Sequence, residues 1–157
     1  MAPIEAGTPA PEFSLGTYEG DRFTRENLKG RTTVLVFYPN AFSPVCTDQL
    51  AIYQEVLGDL EQRGAVMYGV SCDNVWAQEA FREKLGITIE QLSDFEPKGE
   101  ASRAFGVYHP AGFSDRAIVI TGPDAVVAWS HVADSPADIP GANLIFDALD
   151  AAHLRSA

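Results

Sequence analysis

The chain has 157 residues and an apolar content of 46%, which suits a single folded domain over residues 1–157 and excludes a disordered or fibrous protein. Its net charge of −11 argues against nucleic acid or an anionic membrane surface as a partner, and no apolar run is long enough to cross a bilayer. Acidity of this degree is typical either of an ordinary soluble protein or of adaptation to high salt, and composition does not separate the two.

The first half of the chain predicts a hairpin, a buried strand and a long helix. Residues 9–15 lead through the turn-rich segment 16–21 into a returning strand at 22–24. Residues 32–38 are β-branched or apolar at nearly every position, as in a strand that is covered on both faces. Apolar residues spaced three and four apart then predict a helix over residues 43–63.

The second half continues the alternation of strands and helices. A second buried strand is predicted over residues 66–71, and Asp73 or Asn74 can cap the helix that follows and ends at Gly86. The remaining predicted elements are a short strand near Leu92, one or two helical turns at 100–105, two strands at 116–121 and 126–131 joined by a reverse turn, and an amphipathic helix at 143–154.

This order of elements predicts an α/β fold. Strands that alternate with helices pair in parallel in the middle of one sheet, with helices on both faces. Functional sites in such sheets form at the carboxyl ends of the strands. Cys46 and Cys72 follow the carboxyl ends of two successive central strands, so both thiols are expected near this edge of the sheet.

Cys46 is the candidate nucleophile because of the residues around it. Ser43 is a good helix N-cap and Pro44 suits the first helical position, which makes Cys46 the third residue of the helix. There the sulfur lies near unpaired backbone N–H groups and the positive end of the helix dipole, which favours the thiolate. This setting predicts redox or nucleophilic chemistry, against the alternative of a buried structural cysteine.

A thiolate alone does not make a fast catalyst, because nucleophilicity falls as a thiol becomes more acidic. The site must also supply hydrogen-bond donors directed at the atoms where charge develops. The candidates are the hydroxyl of Ser43, the backbone N–H groups at the helix start, and the guanidinium of Arg116, which opens a predicted strand. Pro39 is expected to shape the loop and keep water from the sulfur. The alternatives are an N-cap role alone for Ser43 and a surface pairing of Arg116 with Asp115.

The spacing Pro39-x-x-x-Ser43-x-x-Cys46 resembles the peroxiredoxin active-site motif, Pro-x-x-x-Thr/Ser-x-x-Cys. Residues 92–100 and 104–108 resemble the same family, in particular its AhpE-like group, and the likeness runs from residues 7–13 to the last helix. The resemblance implies a thioredoxin-like fold, in which a central mixed β-sheet is flanked by helices and preceded by an N-terminal β-hairpin. It also implies a peroxidase that needs no metal, haem or flavin.

The resemblance further implies a role for each residue of the motif. Cys46 would attack the O–O bond of a peroxide and become a sulfenic acid, Ser43 would hydrogen-bond the peroxide, and Arg116 would hold thiolate and peroxide together. Pro39 would shield the site. The substrate would be hydrogen peroxide, an organic hydroperoxide or both, and the electrons would come from a low-molecular-weight thiol, a thioredoxin or a glutaredoxin-like protein. A homodimer or higher homo-oligomer is expected.

Gln49 departs from the family pattern, which often has Glu three residues after the cysteine. An amide still donates and accepts hydrogen bonds, so Gln49 can orient Arg116, but it carries no charge and cannot form an ion pair with it. The alternative is that Gln49 is a helix-surface or packing residue.

Two roles are open for Cys72. A thiol at the end of a buried strand is most simply a satisfied core residue, but Cys72 could also resolve the Cys46 sulfenic acid as a disulfide if the Cα atoms come within about 7 Å. Some peroxiredoxins carry the resolving cysteine five residues after the first, where this chain has Ala51, and others carry it at the C-terminus, where this chain has none. The remaining options are Cys72 and an external thiol, and we favour a one-cysteine mechanism recycled by an external thiol.

Other sequence features bear on rival functions. No Cys-x-x-Cys is present, so neither a zinc site nor a thioredoxin-type dithiol is indicated, and His109, His131 and His153 are scattered without ligand spacing. Residues 1–7 lack the features of a secretory signal, so cytoplasmic residence is expected. Two rivals remain: a thiol–disulfide oxidoreductase, disfavoured by the missing dithiol, and a redox-sensing or holdase protein on the same fold.

Overall fold

The computed structural model describes residues 2–156, with side chains described to residue 152. The strands in this part of the chain are β1 (Ser14–Gly16), β2 (Arg22–Thr24), β3 (Thr32–Phe37), β4 (Ala65–Ser71), β5 (Glu90–Ser93), β6 (Tyr108–His109), β7 (Phe113–Ser114), β8 (Ala117–Thr121) and β9 (Val127–Val132). The helices are α1 (Pro44–Glu55), α2 (Leu57–Gln62), α3 (Val75–Leu85), α4 (Glu100–Ala104) and α5 (Ala142–Ser156), with a short 3-10 helix at Arg25–Leu28.

One mixed sheet organises the chain, with the strand order β2-β1-β5-β4-β3-β8-β9. The central strands β5, β4 and β3 pair in parallel, and β8 joins β3 antiparallel. The N-terminal hairpin β1–β2 extends the sheet through Gly16, which lies opposite Ser93 of β5. The parallel centre and the N-terminal hairpin confirm the predicted α/β class.

The sheet separates two apolar clusters, because successive side chains of a strand point to opposite faces. Val34 and Val36 of β3 pack in the cluster that contains Cys46 and side chains of α1, α3 and α5; we call this side the α1 face. Leu35 and Phe37 pack in the other cluster, with side chains of β1, β2 and α4; we call that side the α4 face. Helices on both faces are the predicted arrangement.

The predicted helix over residues 43–63 is wrong in one respect, since it consists of α1 and α2. Val56 separates them with φ −104° and ψ 6°, and its N–H bonds to the carbonyl of Tyr53 at 3.2 Å, three residues back. A β-branched residue followed closely by Gly58 lowers helix propensity at this point. The apolar spacing continues across the break, which is why periodicity alone does not detect it.

The remaining differences are small. Asn74, not Asp73, caps α3 by accepting a hydrogen bond from the N–H of Ala77 at 2.8 Å, and Gly86 ends that helix at φ 64° as predicted. Arg116 lies immediately before β8 and not inside it. The hairpin β6–β7 was not predicted, because two-residue strands have no periodicity to detect. Within the described residues, no helix is both long and apolar enough to traverse a bilayer.

Candidate active site

The loop after β3 delivers Cys46 to the start of α1. Ser43 has an extended backbone at φ −67° and ψ 148°, and its carbonyl accepts the first helical hydrogen bond, from the N–H of Thr47 at 2.9 Å. Pro44 occupies the first helical position, where its missing N–H costs no hydrogen bond. Cys46 is therefore the third helical residue, as predicted, and lies in the first turn of α1 among unpaired N–H groups.

The Ser43 hydroxyl makes no capping hydrogen bond. Its backbone alone forms the helix boundary, so the side chain is not committed to the helix. Ser43 is partly exposed, whereas Cys46 is fully buried. Ser43 is thus the N-cap by its backbone position, while its hydroxyl is available to a ligand. The two roles considered for this residue are compatible.

Arg116 provides the cation that the sequence suggested for the thiol. Its Nη2 donates a hydrogen bond to Sγ of Cys46 at 3.2 Å, although the two residues are 70 positions apart. The side chain is 3% exposed, so water screens the contact little. At this distance the guanidinium is a charged hydrogen-bond donor to the sulfur, and the exclusion of water strengthens its interaction with negative charge that develops there.

The other donors of Arg116 are directed at uncharged acceptors. Nη1 donates to Oε1 of Gln49 at 2.6 Å and Nε donates to the carbonyl of Pro136 at 2.6 Å. No carboxylate forms a salt bridge with Arg116 among the residues that the structure describes, so the surface pairing with Asp115 is not found. Among the described residues, the guanidinium is therefore hydrogen-bonded to Sγ of Cys46 and to two uncharged oxygens, and to no acidic side chain.

Gln49 lies in the core and not on the helix surface, being fully buried. It follows Cys46 by three residues on α1, so both side chains are on the same face of the helix. Its carbonyl oxygen faces Arg116, and its Nε2 donates to the hydroxyl of Tyr53 at 3.2 Å. The orienting contact with Arg116 that the sequence suggested is present. Of the alternative, the helix-surface position is wrong, whereas a packing role agrees with the burial of Gln49.

Pro39 is buried at the start of the loop that carries the motif. The loop is tied to the neighbouring strand by the N–H of Tyr38, which donates to Val70 at 2.9 Å, and by the N–H of Ala41, which donates to the carboxylate of Asp73 at 2.8 Å. These bonds hold the loop over the carboxyl end of the parallel strands, where the sheet topology predicted a site.

Cys72 packs against β7 and α4. It is 8% exposed and its Sγ is 3.5 Å from Oγ of Ser114, which is 2.7 Å from Oγ of Ser102 on α4. These partners place the thiol on the α4 face, whereas Cys46 packs on the α1 face. Both cysteines are free thiols. The structure therefore shows two thiols with different hydrogen-bond partners and no disulfide between them.

A chain of hydrogen bonds links Cys72 to a buried carboxylate. Ser102 donates its hydroxyl proton to Asp94 at 2.7 Å, and Asp94 also accepts the N–H groups of Ala101 and Ser102. When Asp94 is ionised, Ser102 has no second proton to give, so Ser114 donates to Ser102 and the Cys72 thiol donates to Ser114. The network holds Cys72 as a thiol.

Burial sets the acidity of this network. It raises the pKa of Asp94 above its usual range, although the hydrogen bonds from Ser102 and Ala101 oppose the rise. Burial likewise raises the pKa of the Cys72 thiol. Both shifts favour the neutral forms, so Cys72 is poorly suited to act as a nucleophile near neutral pH.

The histidines show no metal-binding arrangement in the described part of the chain. His109 accepts a hydrogen bond from the N–H of Ala111 and stacks on Phe113, and His131 stacks on Trp129. The side chain of His153 lies outside the described residues.

Three residues of the site were not identified from the sequence: Tyr53, Pro136 and Pro140. Tyr53 had a detectable signal, since it follows Gln49 by four residues and so shares its helix face. The two prolines contribute only backbone carbonyls, which no sequence motif reports.

The sequence and the fold of the chain are similar to those of known proteins. The profile of the AhpC/TSA family matches residues 6–130. A putative peroxiredoxin from Coxiella burnetii is 37% identical over 91 residues, which span 58% of this chain and 60% of that relative. Alkyl hydroperoxide reductase E from Mycobacterium bovis is 26% identical over 150 residues, or 94% of this chain and 97% of that relative. AhpC from Enterococcus faecalis has a crystal structure that matches with a TM-score of 0.86 at 26% identity, covering 96% of this chain and 93% of that one.

The fold is thioredoxin-like, and its candidate site is a buried cysteine at a helix start, beside an arginine that forms no salt bridge with a carboxylate among the described residues. The chain belongs to the AhpC/TSA family, and the peroxiredoxin resemblance of its motif is confirmed. Its assignment to the AhpE-like group stays a prediction.

Proposed function

We propose that the protein is a thiol-dependent peroxidase in which Cys46 is the peroxidatic residue. The observation that carries this proposal is the 3.2 Å contact between Nη2 of Arg116 and Sγ of Cys46 in the first turn of α1. The thiolate attacks one oxygen of the hydroperoxide, a sulfur–oxygen bond forms and the O–O bond breaks. The leaving oxygen takes up a proton, so Cys46 becomes a sulfenic acid and water or an alcohol is released.

The neighbouring groups support this step by binding charge that moves from sulfur to oxygen. Arg116 stabilises the thiolate first and then the developing negative charge on the departing oxygen, since its donors are fixed and it does not deprotonate. The uncommitted hydroxyl of Ser43 and the N–H groups of the first turn of α1 are placed to hold the peroxide. Pro39 keeps the loop closed over Cys46, which has no exposed surface, so entry of a peroxide requires a small movement of this loop.

An external thiol completes the cycle in the mechanism that we favour. One thiol attacks the sulfenic acid and releases water, and a second thiol then frees Cys46 and leaves as a disulfide. The position of Cys72 on the α4 face, bound to Ser114, supports this one-cysteine mechanism. The two-cysteine alternative requires α1 to unwind and Cys72 to leave its hydrogen bond.

We also propose the substrates, the reductant and the assembly. The name of the Mycobacterium bovis relative favours alkyl hydroperoxides beside hydrogen peroxide as substrates, and its similarity over 94% of the chain favours the AhpE-like group. A low-molecular-weight thiol or a redoxin would be the reductant, and a homodimer or higher homo-oligomer the assembly. We propose a cytoplasmic protein that binds neither nucleic acid nor membranes, in keeping with its charge of −11.

The test is the intact mass of the reduced protein after one equivalent of hydrogen peroxide, without added thiol. Cys46→Ser and Cys72→Ser are treated in parallel. Gain of one oxygen that is lost in Cys46→Ser and kept in Cys72→Ser is the expected result. Loss of two hydrogens that requires both cysteines would establish the two-cysteine alternative, and no rapid change in the wild type would refute the peroxidase.

A further inference from the structure

Tyr53 extends the contacts of the site beyond Cys46, Arg116 and Gln49. It lies on α1 four residues after Gln49 and is fully buried. Its hydroxyl donates to the carbonyl of Pro140 at 2.5 Å and accepts from Nε2 of Gln49 at 3.2 Å. Because Gln49 also accepts from Arg116, a continuous chain of hydrogen bonds runs from Pro140 to the guanidinium beside Cys46.

The donors and acceptors allow only one orientation of these hydrogen bonds. A backbone carbonyl has no proton, so the only hydroxyl proton of Tyr53 goes to Pro140 and its oxygen is left to accept. Gln49 must therefore present its amide nitrogen to Tyr53 and its oxygen to Arg116, which only donates. Tyr53 and Arg116 therefore impose the same orientation on the Gln49 amide. Burial also raises the pKa of Tyr53, which keeps its hydroxyl protonated.

This row of hydrogen bonds ends at Pro140, in the segment over residues 133–141 that joins β9 to α5. The same segment holds Arg116 directly, because the N–H of Ala133 bonds to the backbone carbonyl of Arg116 at 2.9 Å and Pro136 accepts from Nε. The guanidinium is thus held along one side by the 133–141 segment and along another by Gln49. Tyr53 connects these two supports.

We propose that Tyr53 is a positioning residue for peroxide reduction, which fixes the guanidinium of Arg116 through Gln49 and is itself anchored on Pro140. Its hydroxyl is hydrogen-bonded to Gln49 and Pro140 and not to Cys46, so it acts through the orientation of its neighbours. This inference rests on the proposed peroxidase. It predicts that removal of one hydroxyl, which Arg116 and Gln49 separate from the thiol, slows the reaction with peroxide.

The experiment measures the rate of Cys46 oxidation by hydrogen peroxide in Tyr53→Phe, Gln49→Ala and the double variant, all in a Cys72→Ser background. Iodoacetamide alkylation of Cys46 is measured in parallel, since it needs the thiolate but no oriented peroxide. Tyr68→Phe is the matched control, because Tyr68 is also buried and its hydroxyl bonds an arginine, Arg31, away from the site. Tyr53→Leu is a second hydroxyl-free variant in case Tyr53→Phe does not fold.

We expect Tyr53→Phe to lower the peroxide rate roughly tenfold, the effect of about 1.4 kcal/mol at the transition state. Alkylation should stay within about twofold, because the guanidinium charge remains beside the sulfur, and Tyr53→Phe should have no further effect in Gln49→Ala. An unchanged peroxide rate, an equal loss in both reactions, or additive effects of the two substitutions would each overturn the positioning role. A wild type that does not react with peroxide would instead refute the peroxidase itself.

Discussion

Gln49 accepts a 2.6 Å hydrogen bond from Nη1 of Arg116 at a position where an ionised carboxylate would form a salt bridge. Because an amide is neutral, the charge of the buried guanidinium stays available to the sulfur of Cys46. The neutral partner also has protons to donate to Tyr53, which a carboxylate lacks. The residue at position 49 thus affects both the positive charge that Arg116 presents to Cys46 and the hydrogen bonds that hold Arg116 in place.

Gln49→Glu should lower stability for this reason. The carboxylate of the variant and the carbonyl of Pro140 would compete for the single hydroxyl proton of Tyr53, which leaves one buried acceptor unpaired at a cost of about 1–3 kcal/mol. Urea unfolding near neutral pH measures the change. Gln62→Glu, at an exposed position, adds the same charge and should have little effect. A stability of Gln49→Glu equal to that of the wild type would contradict the competition.

Arg116→Lys should slow peroxide reduction by roughly 10²–10³-fold, the usual cost of losing an oriented donor at a site of developing charge. Lysine keeps the charge but cannot bond Cys46, Gln49 and Pro136 at once through a planar group. Stopped-flow measurement of Cys46 oxidation gives the rate. Arg63→Lys, at a partly exposed salt bridge with Asp150, is the control and should react as the wild type does. A loss of less than about fivefold in Arg116→Lys would show that charge alone suffices.

Cys72 should react slowly with thiol reagents, because burial raises its pKa above the ordinary value of 9.0. At pH 8 to 9, the folded protein then contains less Cys72 thiolate than the unfolded chain does. Labelling of Cys46→Ser with a neutral disulfide reagent measures this, with the same protein in denaturant as the control. The rate should still rise at pH values where that of the unfolded protein has levelled off. Labelling as fast as in the unfolded control would show that Cys72 is open and acidic.

Asp94 should make stability depend on pH. Its pKa in the folded protein is above 3.8, so the folded state holds the proton at pH values where the unfolded chain has lost it. The contribution of Asp94 to the free energy of unfolding is therefore largest below pH 3.8 and falls as pH rises through the folded pKa.

Comparison of the wild type with Asp94→Asn from pH 4 to 7 isolates this slope, because the asparagine does not titrate. The stability of the wild type relative to the variant should decrease with rising pH. Asp59→Asn, at an exposed carboxylate, serves as the control and should show no such trend. A relative stability that increases with pH would mean that the hydrogen bonds to Asp94 outweigh its burial.

The sequence determined much of this protein by local rules. Three features each set a backbone preference within a few residues: the β-branched composition of residues 32–38, Ser43-Pro44 at the start of α1, and Gly86 at the end of α3. These elements are present as predicted. The spacing of Pro39, Ser43 and Cys46 likewise lies within one loop and one helical turn. Local chemistry therefore predicted both the fold class and the candidate nucleophile.

Tertiary structure alone decided what surrounds that nucleophile. Arg116 reaches Cys46 from 70 residues away, and Tyr53 meets Pro140 from 87 residues away, because β8 and the 133–141 segment are brought beside α1 by the sheet. The separation of Cys72 from Cys46 depends on which face of the sheet each thiol meets, and chain order does not fix this for residues that follow the strands. Contacts between distant segments and bonds to backbone carbonyls carry no local pattern, so they emerge only when the sheet is assembled.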